Sequence, residues 1–337
     1  MSVYFVTGAS GAVGAHLAKR LLELGHEVVS IMHDERPFDT AQLIGIRNKI
    51  IWVRGSILDA NLCKRVVADY AVDAIAHLAA LPLVQVSTRT TVPVFQTNLM
   101  GTINLLEAVK ENAWAGKDIR FLYFGTDKEY GPVGNQPYTE DMPINPQAIY
   151  ECSKAAASFA VRAYAASKFI PAAIVTRSCN LIAPGDLNLG RVLPRTIVPA
   201  IRGESPILYY TEYLREFMAV EDGVEGVLAL DKELAEGRGH GEIFNLGSGE
   251  QRTIEQSVAE VLKYFPKITQ TWIKPPNLSR IEIPFQRLDC KKVYNFCGWC
   301  AKVTFEQTVE RLVKWWQDNW EHLPVYIRNW RATGWHG

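Results

Sequence analysis

The sequence predicts an α/β protein: a doubly wound parallel sheet followed by a smaller C-terminal lobe that binds substrate. Two observations carry this. Short apolar runs alternate with helical stretches through the first half of the chain, and a glycine-rich loop joins the first run to the first helix. Length agrees, since 337 residues correspond to about two domains. A chain of about 300 residues hides roughly three quarters of its unfolded surface without help from disulfides or metal.

Val3–Val6 reads as the first strand, stopped by Gly8 and Gly11. Leu17, Leu21, Leu22 and Leu24 then recur at helical spacing until Gly25. Glu27–Met32 and Ile50–Val53 read as strands, the second ending before Gly55. Cys63–Tyr70 reads as helix and Ala74–Leu78 as a buried strand. A long helix over Thr97–Glu111, a strand over Arg120–Phe124 and an alanine-rich helix over Tyr150–Ser167 follow. Apolar strands separated by helices imply a parallel sheet covered on both faces, with right-handed crossovers. Residues 1–177 form this first domain.

Beyond it the rhythm loosens. Pro184, Pro194, Pro199 and Pro206 punctuate short segments, Ile243–Leu246 reads as one more strand, and the span from Ile268 to Phe285 is rich in proline and polar residues. A helix resumes at Phe305–Trp320. Residues 178–337 are assigned mainly to the smaller lobe, with segments at about 215–247 returning to the first domain. Trp315, Trp316, Trp320, Trp330 and Trp335 read as packing the terminal helix onto the body, because aromatic rings dominate core area.

Composition narrows the function classes. With 36 Lys+Arg against 36 Asp+Glu, the chain lacks the cationic excess of a general nucleic-acid binder. No run approaches the roughly 20 apolar residues that span a bilayer. The N-terminus has neither the basic start nor the longer apolar stretch of a signal peptide. The six cysteines are scattered through apparent helices and strands, unlike a secreted disulfide framework. These features predict a cytoplasmic protein.

Gly8-Ala9-Ser10-Gly11-Ala12-Val13-Gly14 follows the first strand and opens the first helix. Gly8 suits a tight turn, Gly11 lets backbone approach a pyrophosphate, and Gly14 lets helix and strand pack closely. The helix N-terminus adds free N–H groups and the positive end of a dipole. This predicts a dinucleotide site. At the end of the second strand Asp34 favours the ribose diol of NAD, whereas His33 or Arg36 suits the extra phosphate of NADP. NAD is the reading taken, with NADP left open.

Tyr150 and Lys154 lie four apart at the start of a helix and share a face. A phenol is a poor base at neutral pH, and a nearby ammonium favours its phenolate. The pair suits proton removal from an alcohol being oxidised. The strand Arg120–Phe124 delivers Thr126-Asp127-Lys128-Glu129-Tyr130-Gly131 at its carboxyl end, where open α/β sheets bind ligands. Three ionisable side chains in a row there suit acid–base chemistry.

Taken together, the Thr7–Gly14 loop, His77-Leu78-Ala79-Ala80, Thr97–Thr102, Thr126–Gly131, Tyr150/Lys154, Arg177–Asn180 and Gly298-Trp299 resemble the extended short-chain dehydrogenase/reductases that act on nucleotide sugars. The likeness is strongest to nucleotide-sugar 4,6-dehydratases of the CDP-glucose 4,6-dehydratase type, which carry Thr-Asp-Lys after the fourth strand. The resemblance implies a Rossmann fold, NAD and a nucleotide-sugar substrate. It implies that Ser10, Ala12, Val13, His33, Asp34, Ser56, Ile57, Leu78, Ala79, Ala80 and Asn98 join the three glycines, Tyr150 and Lys154 around the cofactor. Tyr150, tuned by Lys154 and bonded through Thr126, would take the sugar's 4-hydroxyl proton. Lys128 would take the C5 proton, and Asp127 would protonate the departing 6-hydroxyl. Related dehydratases have Glu where Lys128 stands, and Glu129 follows it, so both remain candidates for the base. Asn180, Arg191, Arg195 and Arg215 are implied for the nucleotide diphosphate, where arginine's planar fork suits phosphate oxygens.

Three features depart from the family pattern. Ser56 replaces an adenine-contacting aspartate, Leu81-Pro82 replaces a more polar segment, and Cys297-Gly298-Trp299-Cys300 replaces a proline-containing turn. No second cysteine pair or histidine cluster accompanies that Cys-x-x-Cys, so no metal is assigned. His77, inside a buried strand, reads as a satisfied core residue. A 4-epimerase or other enzyme working through a 4-keto intermediate is the alternative. It needs Tyr150, Lys154 and Thr126 but neither Asp127 nor Lys128. A non-catalytic nicotinamide sensor needs none of the five. The resemblance also implies a homodimer, formed by the helices Thr97–Glu111 and Tyr150–Ser167.

Overall fold

Alternate residues of the first strand face opposite cores. In β1 (Val3–Thr7), Phe5 joins one buried cluster while Tyr4 and Val6 join another, as a strand covered on both sides requires. The computed structural model describes residues 1–36, 38–82, 90–268, 271–273 and 282–331. Beside β1 stand β2 (Glu27–Met32), β3 (Ile51–Arg54), β4 (Ala74–His77), β5 (Arg120–Thr126), β6 (Ala172–Ser178) and β10 (Ile243–Leu246), while β7 (Asn180–Ile182), β8 (Ile207–Leu208) and β9 (Leu214–Ala219) belong to smaller sheets. Among the described residues the main sheet has seven parallel strands in the order β10-β6-β5-β4-β1-β2-β3, with β1 near the centre. The order reverses between β1 and β4, and a crevice opens beyond their carboxyl ends at such a switch point.

Helices α1 (Ala12–Glu23), α2 (Ala60–Asp69), α3 (Gly101–Trp114) and α4 (Ile149–Ala166) clothe the sheet, α2 to α4 together on one face. A smaller core is built from α5 (Val192–Ile201), β9 (Leu214–Ala219), α7 (Ile254–Leu262) and α8 (Phe305–Asn319), with α6 (Val220–Ala235) lying against α1 on the sheet's other face. Trp316 is fully buried in that smaller core, and Trp315, Trp320 and Trp330 pack against it. The tail tryptophans therefore pack as the sequence predicts, except that Trp335 lies outside the described residues. Among the described residues no helix is long and apolar enough to cross a membrane.

Differences from the sequence reading have local causes. The long helix read from Thr97 contains a π-helical turn, Gln96–Met100, before α3 begins at Gly101. Pro194 and Pro199 lie inside α5 rather than between segments. Pro194 sits in the first turn, where the N–H would have no intrahelical partner. Strand β5 runs on to Thr126, two residues beyond Phe124. Strands β6 and β9 and helix α6 were not legible as separate elements.

Candidate active site

The glycine loop is folded so tightly that positions 8 and 14 leave no room for a side chain. Gly8 has a φ of +78°, and a Cβ on Gly14 would stand 2.3 Å from the Gly8 carbonyl oxygen. A Cβ on Gly8 would lie 3.0 Å from the Ala79 nitrogen, so the loop and the end of β4 nearly touch. Thr7 fixes that approach: its hydroxyl accepts the N–H groups of Leu78 and Ala79 at 3.1 Å each and pairs with His77 Nδ1 at 2.7 Å. No side chain caps α1, whose N-cap is Gly11. The first-turn amides around Ala12 and Val13 are therefore open to an anion, which fits the pyrophosphate of NAD. His33 and Asp34, just past β2, are exposed and lie 3.1 Å apart. Ser56 Oγ accepts the Leu58 N–H at 3.2 Å, Ile57 is buried, and Ser10's carbonyl accepts the Thr40 N–H. Ala80 is half-buried just beyond them.

His77 is a core residue, as read. Its Nε2 meets Thr102 Oγ1 at 2.9 Å, and burial brings its pKa down to about 3. Asn98, expected beside the cofactor, ties backbone to helix. It lies in the π-helical turn, accepts the Leu81 N–H at 2.8 Å and donates to Ser153 Oγ at 2.9 Å.

The turn after β5 gathers Thr126, Asp127, Lys128 and Glu129. Thr126 caps the short 3-10 turn Asp127–Tyr130, and Glu129 folds back to accept the Thr126 N–H at 3.1 Å. This works because residue 125 is glycine: a Cβ there would meet Glu129 Oε1 at 2.6 Å. Glu129 is fully buried, accepting from Arg177 Nε at 3.0 Å and from Ser158 Oγ at 2.7 Å. It is a buried strut between β5, β6 and α4. Lys128 retains more freedom. Its Nζ lies 3.8 Å from Glu282, with the side chain partly exposed.

Asp127 is buried, and its two carboxyl oxygens have separate partners. Thr126 Oγ1 donates to Oδ1 at 3.1 Å and Gln286 Nε2 donates to Oδ2 at 3.1 Å. Burial pushes its pKa up to about 6, against the pull of Lys128, Thr126 and Arg215. An acid so placed keeps its proton well above the usual carboxylate range.

Tyr150 and Lys154 come to the same site, with the ammonium anchored on backbone. Lys154 Nζ donates to the Phe124 carbonyl at 2.6 Å and lies 4.2 Å from the centre of the Tyr123 ring. Burial lowers its pKa to about 8, with Glu129 opposing. Burial likewise holds the Tyr150 phenol well above its ordinary value. Arg191 is the cation that opposes this, while Glu129, Asp127 and Glu151 add to it. The Thr126 hydroxyl, expected on Tyr150, donates to Asp127 instead.

The candidate diphosphate residues separate. Arg215 is buried beside Asp127, bound to the Ile283 carbonyl at 2.7 Å and to Glu282 at 2.7 Å. Arg191 reaches the Leu181 carbonyl and Asp186, and Asn180 donates to the Glu216 carbonyl. Arg195 stacks on Tyr209 and Trp330. Sequence reasoning missed Gln286, Glu282 and Glu216. Glu216 is fully buried, accepts the N–H groups of Gly249 and Leu288, and is pushed up to about 7 by burial. Its position next to Arg215 was the one available signal.

Residues 4–247 match the NAD dependent epimerase/dehydratase family. The chain is 28% identical to the dTDP-glucose 4,6-dehydratase of Haemophilus influenzae, over 93% of its own length and 97% of the relative's. The dTDP-glucose 4,6-dehydratase of Bacillus anthracis, solved in complex with NAD, superposes with a TM-score of 0.83 at 25% identity, covering 95% of this chain and 98% of that one. A UDP-glucose 4-epimerase of Thermotoga maritima superposes equally well, with a TM-score of 0.83 at 23% identity over 94% of this chain and 99% of that one. The shared fold thus accommodates both activities, and side chains must discriminate between them.

Proposed function

The chain belongs to the NAD dependent epimerase/dehydratase family, and from that premise we propose that it is a nucleotide-sugar 4,6-dehydratase, converting an NDP-hexose to its 4-keto-6-deoxy form. One observation supports the choice over an epimerase: Asp127, a buried carboxyl that keeps its proton up to about pH 6, stands next to Lys128 at the carboxyl end of β5. An epimerase has no use for that acid, whereas elimination of a hydroxyl requires one.

The chemistry NAD supplies when bound is reversible hydride acceptance at its nicotinamide ring. Gly8, Gly11, Gly14 and the first amides of α1 hold its pyrophosphate, and Asp34 meets its ribose. Tyr150 takes the 4-hydroxyl proton, its phenolate favoured by Arg191 and by Lys154 one helical turn on. The ketone at C4 acidifies the C5–H bond, and Lys128 takes that proton. The buried pairing of Glu129 with Arg177 supports Lys128 over Glu129 as this base. Asp127 gives its proton to the departing 6-hydroxyl, which leaves as water. Lys128 would return its proton to C5, with the hydride chemistry at C6 supplied by the bound cofactor, and the proton left on Tyr150 would restore Asp127 through solvent. Arg215 is the diphosphate residue best placed for this, being buried within the electrostatic reach of Asp127.

A homodimer and a cytoplasmic location belong to the same reading. Phe159 on α4 and Trp114 on α3 are 51% and 71% exposed, as a helical pairing surface would leave them in an isolated chain. The reaction is tested with Asp127→Asn. This variant should still oxidise C4, seen as nicotinamide reduction by an NDP-6-deoxyhexose, while water loss from the NDP-hexose stops. Water loss at the wild-type rate would overturn the assignment.

A further inference from the structure

Gln286 lies in a stretch of chain that the fold clamps on both sides. The Pro284 carbonyl accepts the Leu214 N–H, Tyr138 donates to the Phe285 carbonyl at 2.5 Å and to the Arg287 carbonyl at 2.8 Å, and Leu288 N–H donates to Glu216 at 2.6 Å. Its side chain is fully buried, with Nε2 on Asp127 Oδ2. Its Oε1 is also buried and has no partner among the described residues. A buried carbonyl oxygen without a donor is destabilising, so an amide at this position needs a reason beyond packing.

An amide has a donor at one end and an acceptor at the other, and a half-turn about its last bond exchanges them. Before proton transfer the neutral Asp127 offers an O–H, which Oε1 can accept. After transfer it is a carboxylate, which Nε2 supports. Resting on the 4,6-dehydratase reading, we propose that Gln286 is a positioning residue for Asp127, holding its carboxyl in plane and accommodating both its protonated and ionised states during water elimination. No bond to Gln286 is made or broken: one proton moves from Asp127 to the departing hydroxyl, and the amide turns to follow it. The charged groups and titratable side chains that face Asp127 are Lys128 on its own turn, Arg215 and Glu216 on β9, Tyr138, Tyr150 on α4 and Cys179 after β6. Gln286 is the neutral member of this set that can serve as donor or acceptor without gaining charge.

The test compares wild type, Gln286→Met and Gln286→Glu. The carboxyl infrared band that Asp127→Asn removes reports the titration of Asp127 directly. Hydrogen bonds to a charged acceptor are about twice as strong as neutral ones, so deleting both ends of the amide harms the carboxylate more. The Asp127 midpoint should rise by about one pH unit in Gln286→Met. In Gln286→Glu, two carboxyls share a site and should titrate in two steps on either side of the wild-type midpoint. Water elimination should slow by about tenfold or more in Gln286→Met, and its decline with rising pH should move to higher pH. Nicotinamide reduction by the 6-deoxy analogue should be unchanged. An unmoved Asp127 midpoint in both variants, or equal loss of C4 oxidation and elimination, overturns the proposal. If wild type releases no water, the dehydratase reading fails, while the infrared midpoints still decide whether Gln286 governs Asp127.

Discussion

Glu129 and Arg177 form a buried ion pair, Oε2 to Nε at 3.0 Å, with both side chains almost wholly out of solvent. The acid next to Lys128 is thereby made part of the scaffold. Removing one partner of such a pair leaves an uncompensated buried charge, at about 3–5 kcal/mol. Glu129→Gln should therefore lower thermal stability sharply, whereas Lys128→Met should leave the melting temperature nearly unchanged and abolish exchange of the C5 proton with solvent. Calorimetry and deuterium incorporation separate the two. A stable Glu129→Gln enzyme that cannot exchange C5 would reverse their roles.

Asp127 places function against stability. Its pKa is raised from an ordinary 3.8 to about 6 by burial, so the folded state binds the proton more tightly than the unfolded state. The stability gained from that proton is complete below the unfolded pKa and is lost as pH rises through about 6. Asp127→Asn removes this penalty, and at pH 7 it should be more stable than wild type by about 1–3 kcal/mol. Urea melts at pH 4 and pH 7 check it, with the gain expected only at the higher pH.

The close approach of Gly14 to Gly8 gives the dinucleotide site its sharpest test. Gly14→Ala would push a methyl to 2.3 Å from the Gly8 carbonyl oxygen, where only backbone can yield. The expected result is a loss of roughly 1–3 kcal/mol of stability with a weakened affinity for NAD, read by calorimetric titration. Unchanged NAD binding would show that the loop does not carry the cofactor.

Phe159 is half exposed at the middle of α4. Phe159→Glu should convert a dimer to a monomer by light scattering at micromolar concentration, since a buried unpaired carboxylate at an interface is strongly disfavoured. A wild-type monomer would contradict the dimer.

Local patterns made much of this legible in the sequence. The glycine loop, the apolar strands and the Thr126–Gly131 turn are each encoded within a few residues, and they fall where the sequence placed them. Long-range partners were not legible. Gln286 reaches Asp127 across 159 positions, from a polar stretch with no periodicity to announce it. Arg177, quoted only as part of a motif, turns out to pair with Glu129, which supports Lys128 over Glu129 as the base. The Tyr150/Lys154 spacing put both groups on one helix face, but spacing could not reveal that the ammonium also binds the Phe124 carbonyl. Helix α5 was missed because proline was read as a break, although its first turn tolerates one.

The most direct measurement is the mass of the product formed from CDP-, dTDP-, GDP- and UDP-glucose by the purified protein in heavy water. Loss of one water from one of them, one solvent deuterium at C5 and no net consumption of NAD are the predicted result, and the sugar nucleotide that reacts identifies the base. A product isomeric with its substrate, with no water lost, would contradict the dehydratase and make the protein an epimerase.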